Sequence, residues 1–181
     1  MSDPTAGDHS AHAPQPSHSG GITGWLMLSL LVILIDQASK WAILQTFSEG
    51  ERLNILPNLF DLTLWYNTGA AFSFLANHDG WQRWFFTIIG LCASAFIIYL
   101  LRQSAGQRLF AFGLAMILGG AIGNVIDRLV HGKVVDFLLF YIEPYFFPAF
   151  NAADSAITLG AICLILDELL RWRRSRRVAT S

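Results

Sequence analysis

The sequence predicts an α-helical membrane protein of four transmembrane helices, with a small strand pair on the outer membrane surface. Four apolar segments, at about 22–43, 81–101, 109–129 and 151–171, predict it first. Each is about 20 residues long, the length that crosses a ~30 Å hydrocarbon core at ~1.5 Å per residue. Composition agrees: 54% of the 181 residues are hydrophobic and 14% charged, against roughly a quarter charged in a soluble domain. The basic residues supply the third observation. Arg102 and Arg108 flank the second link, and Arg171, Arg173, Arg174, Arg176 and Arg177 end the fourth segment. Four crossings put both groups on one side, the cytoplasm.

Residues 1–21 precede the first span and contain no aromatic or branched aliphatic residue. Nothing there builds a core, so they are expected to form a disordered cytoplasmic tail. His9, His12 and His18 are scattered in it and read as solvated, not as metal ligands. No basic region precedes the first apolar run, so it does not read as a signal peptide. In lipid every backbone polar group needs an internal partner, which makes each apolar segment a helix.

The first outer connection contains "NLFDLTLWYN", which alternates in polarity between Pro57 and Gly69 and reads as strand. The second, about 130–150, contains "FLLFYIEPYFFPAF", whose rings suit an interfacial aromatic belt. The final arginines, 173–181, form a basic cytoplasmic tail; following an apolar run, they anchor to a membrane and not to nucleic acid. Cys92 and Cys163 lie within apolar runs and read as small packing residues, with no disulfide framework or metal site.

That topology places the unusual polar residues at one depth. Asp36 and Lys40 fall in the outer third of the first helix, Asn67 just before the second. Asn124, Asp127 and Arg128 close the third, while Asn151 and Asp154 open the fourth. An acid inside a span costs roughly 2.5–3.5 kcal/mol on the lenient insertion scale, so such residues ask for a reason. Structural reasons exist. Asp36 and Lys40, spaced i,i+4, form an ion pair or leave Lys40 to snorkel. Gly119, Gly120 and Gly123 permit close helix packing. Asn124 bonds across helices and Arg128 anchors an interface, or both serve a site; Asp127 meets water or pairs with His131. "FNAADS" offers Asn151 as an N-cap and Asp154 as its capping-box partner.

Asp136 in "VVDF" weakens the purely structural account. Two carboxyl groups near an apolar boundary cannot both ionise at close range, so they share a proton. The ionised partner takes a proton from water and the other donates to a carbonyl oxygen. That pair suffices for peptide hydrolysis. HExxH, GxSxG, a Cys beside a His and a glycine-rich phosphate loop are all missing from the sequence.

Together "IDQASK", "YNTGAAFSF", "GGAIGNVIDR", "VVDF" and "FNAADS" resemble bacterial lipoprotein signal peptidase (signal peptidase II) over roughly 22–172. The resemblance implies four transmembrane helices, an extracytoplasmic β-cradle at about 47–68 and a short interfacial periplasmic helix. It implies an aspartyl endopeptidase of the inner membrane, with no cofactor, acting as a monomer among membrane lipids. The substrates would be prolipoproteins, cut just before a diacylglyceryl-modified cysteine. The catalytic pair falls on Asp136 and Asp154; supporting residues fall on Asp36, Lys40, Asn67, Asn124, Arg128 and Asn151. Asp127 lies outside that set. The tail before residue 22 is longer than the family leads one to expect. A small proton- or ion-coupled transporter using the same acids as a relay is the alternative, and a structural assembly protein leaves the acids unexplained. The acids crowd one side and no inverted repeat is visible, which favours the peptidase.

Overall fold

A computed structural model describes residues 21–69, 80–104 and 106–179; the expected tail lies almost wholly outside them. Four long helices appear: α1 (Ile22–Thr46), α2 (Trp81–Gln103), α3 (Arg108–His131) and α4 (Ala152–Ala179). The first three are long and apolar enough to cross a membrane. The longest uncharged run in α4 is residues 155–166, between Asp154 and Asp167. Nor does α4 stop where its apolar stretch does. It continues as helix through the arginines expected to form a separate tail, because charge ends a membrane span but not a helix.

The bundle is organised around α3, against which α1, α2 and α4 all pack, whereas α1 and α2 barely touch. Glycine makes this possible. A Cβ at Gly119 would meet Val32 Cβ at 2.6 Å, one at Gly113 would meet the Gly160 carbonyl at 2.8 Å, and one at Gly120 would strike the Ala153 carbonyl. Small residues at these points let backbones approach, the usual source of helix affinity in lipid. The Ser29 hydroxyl adds a bond to the Ala115 carbonyl, 2.9 Å away. Large side chains on the outer faces of α1 and α2 remain exposed. Cys92 is among the exposed positions, contrary to its expected packing role; Cys163 is buried, and both are free thiols.

Strands occupy more of the two connections than expected. β1 (Arg52–Leu56) and β2 (Phe60–Asn67) form the anticipated pair, but the second connection supplies β3 (Val134–Ile142) and β4 (Tyr145–Phe146). The antiparallel order is β1-β2-β3-β4, with Trp65 opposite Asp136 and Asn67 opposite Val134. The expected aromatic belt is therefore sheet. Val134, Val135, Asp136 and Phe137 are all buried, so the strand lacks the one-sided alternation that would have announced it. Leu64, Val135 and Phe137 join Ile43 in a small core that fixes the sheet to α1. No short interfacial helix lies among the described residues of either outer connection; residues 70–79 are outside them.

Candidate active site

Five elements end at one place, each delivering polar side chains. The base of the cluster is electrostatic. Lys40 Nζ lies 2.8 Å from Asp36 Oδ2 and 2.9 Å from Asp127 Oδ2, with all three side chains nearly inaccessible. Gln37 Nε2 donates to Asp127 Oδ1 at 2.9 Å and to Asp36 Oδ2 at 3.2 Å. Lys40 is thus buried and does not snorkel. Asp127 is buried and held by Lys40 and Gln37, neither of which the sequence offered as its partner. Asp127 also accepts the Val135 N–H at 3.0 Å, tying α3 to β3. Asp36 accepts the Ala153 N–H at 2.9 Å, setting a carboxylate at the positive end of α4. Removing one member of such a buried group costs roughly 3–5 kcal/mol, because the others lose their compensation.

Above this base, carboxamides connect the two candidate acids. Lys40 donates to Asn124 Oδ1 at 3.1 Å, and Asn124 Nδ2 donates to Asp154 Oδ1 at 2.8 Å. Asn151 Nδ2 donates to Asp136 Oδ1 at 2.7 Å, and Asn67 Nδ2 to Asp136 Oδ2 at 3.1 Å. The capping box is present as well. Asn151 Oδ1 accepts the Asp154 N–H at 2.9 Å, and Asp154 Oδ2 accepts the Asn151 N–H at 3.3 Å. Capping and site-building are therefore one arrangement, with Asn151 holding Asp136 by one end of its amide and the helix start by the other. Arg128 donates to the Asn124 carbonyl at 3.2 Å, stacks over Phe86 and lies within electrostatic range of Asp154.

All eight residues expected in the site thus fall in this one cluster. Asp136 is 1% exposed. Burial first, then the negative charge of Asp154, pushes its carboxyl up to about 7, against the pull of the Asn67 and Asn151 hydrogen bonds and of Lys40. A carboxyl that keeps its proton near neutrality donates it to a developing oxyanion, while a neighbouring carboxylate accepts one from water. Asp136 also borders a cleft of about 500 Å³ walled by β1, β2 and the segment after β4, including Arg52, Thr63, Trp65, Asn67 and Pro148.

Comparison with known proteins gives a consistent set. The sequence profile described as signal peptidase (SPase) II matches residues 28–170. A lipoprotein signal peptidase of Ralstonia nicotianae is 58% identical over 161 residues, covering 87% of this chain and 92% of that protein. One from Cupriavidus necator is 57% identical over 150 residues, covering 83% and 85%. A solved structure of a bacterial membrane enzyme, obtained in meso, superposes with a TM-score of 0.74 at 30% identity, covering 82% of this chain and 94% of the other. A second, also in meso, gives 0.72 at 32% identity over 82% and 88%.

Proposed function

Because this chain belongs to the signal peptidase II family, a family of proteases of the bacterial inner membrane, we propose that Asp136 and Asp154 are its catalytic pair. In this reading the enzyme removes the signal peptide from prolipoproteins, cutting just before a cysteine that carries diacylglycerol. Membership in a peptidase family sets the transporter alternative aside. The observation that carries the pair is the Asn151 side chain, which bonds to Asp136 and to the Asp154 backbone at once.

Asp136 enters the reaction protonated and Asp154 as carboxylate. Asp154 removes a proton from water as its oxygen adds to the scissile carbonyl carbon; Asp136 gives its proton to the carbonyl oxygen. Collapse of the tetrahedral intermediate breaks the C–N bond, and the proton on Asp154 passes to the leaving amine. Asp136 recovers its proton from the hydroxyl of the intermediate, which completes the balance. Asn67 and Asn151 hold Asp136, Asn124 holds Asp154, and Asp36 and Lys40 hold the helices that carry them.

The same reading makes α4 a fourth crossing, with residues 1–21 and 173–181 in the cytoplasm and the sheet on the periplasmic side. Arg171 bonds to Gln107 of the α2–α3 link, which supports placing both basic regions on one face. Residues 22–172 then form one peptidase domain that works as a monomer, its substrate's acyl chains remaining in the lipid. The test is cleavage of a diacylglyceryl-modified prolipoprotein in detergent by folded variants. Asp136→Asn and Asp154→Asn should each lose roughly 10²–10⁴-fold activity, and the double variant little more. Robust cleavage by Asp154→Asn would leave that residue with its helix cap alone.

A further inference from the structure

The cleft beside Asp136 is asymmetric in charge. Among the described residues that line it, Arg52 carries the only positive charge, and Asp136 is the only acid. Arg52 has no carboxylate partner among the described residues; its guanidinium lies over the Phe146 ring, 5.1 Å from the centroid. Stacking occupies the flat face of a guanidinium and leaves its N–H edge for a planar anion. The side chain is exposed, in an edge strand exposed along its whole length.

Register gives its distance from the reaction. Arg52 pairs with Thr63 and Trp65 with Asp136 across the same strand, β2. Two strand spacings of ~4.8 Å and one two-residue step of ~6.7 Å put Arg52 about 12 Å from Asp136 along the backbone frame. An extended peptide covers that in three to four residues at ~3.3 Å each. Direction follows from polarity. The apolar signal sequence belongs with the helices in lipid, so the chain on the sheet side is the polar segment that follows the cut.

Resting on the active-site reading above, we propose that Arg52 reads the mature side of the substrate and favours an acidic residue three or four places after the cleaved bond. An exposed pair of this kind is worth a modest factor, about two- to fivefold, and weakens with salt.

The experiment uses the intact enzyme in detergent with diacylglyceryl-modified prolipoproteins that differ by Asp or Asn at the third or fourth residue after the cut. Wild type should show a two- to fivefold higher kcat/KM for Asp at one of these positions, and the advantage should shrink at high salt. Arg52→Gln should abolish that preference, and Arg52→Glu should reverse it in favour of the Asn substrate. Equal rates on Asp and Asn substrates by wild type would overturn the proposal, as would a preference that survives in Arg52→Gln. Equal slowing of both substrates by Arg52→Gln would also overturn it, by reducing Arg52 to a prop for Phe146. Failure of wild type to cleave any of them would sink the catalytic reading instead.

Discussion

Asp136 holds its proton at a cost to the fold, and the sign of that cost is measurable. Its carboxyl is raised to about 7, from about 3.9 in an unfolded chain. Between those values the folded state binds more protons, so stability falls as pH rises and the penalty is complete above about 7. Asp136→Asn removes the charge and should raise the thermal midpoint in detergent, by more at pH 8 than at pH 5. An equal change at both would mean that Asp136 is not strained by its burial. Asp127→Asn works the other way. It takes a carboxylate from Lys40 and should lower stability by about 3–5 kcal/mol, read from the same melts. The principal acids and amides were legible because each stands out in an apolar stretch. The partner of Asp127 was not, because a helical wheel shows a face but not the neighbour it meets. Only the packing of the two helices shows it: Asp36 lies under Gly123, and the next turn of each helix brings Lys40 to Asp127.

At the scale of elements, the first turn of α4 and the middle of α3 set how closely the acids can be held. Gly120→Ala would press a methyl group onto the Ala153 carbonyl, one residue from Asp154. It should cost about 1–3 kcal/mol of overpacking and lower activity with it. Gly24→Ala, where a Cβ would meet nothing within 4 Å, is the control and should be near neutral in the same thermal assay. The helices were readable from length and hydropathy, to within a few residues at their outer ends. β3 was not, since its half nearest the site is buried and its apolar run fits a strand or an interfacial loop equally well. That the basic end of α4 stays helical was not readable for a related reason, because hydropathy reports where lipid stops and says nothing of hydrogen bonding within the helix.

For the molecule as a whole, orientation decides which compartment the site serves. In a background with Cys92→Ala and Cys163→Ala, a cysteine at Glu49 should react with an impermeant reagent added outside intact inner-membrane vesicles of periplasmic orientation. One at Ser175 should react only after permeabilisation, and the reverse pattern would invert every assignment of sides. The Asn151 amide, bonded to Asp136 and to the start of α4, has a consequence beyond catalysis. Enzymes commonly sit where stability can be gained by giving up activity, since the polar groups of a site are a burden to the fold. At Asn151 that exchange is closed: a substitution that released Asp136 would also uncap a helix. Random change at this position is punished twice, so a lineage losing the activity would have to begin its decay elsewhere, most readily at Asp136 itself.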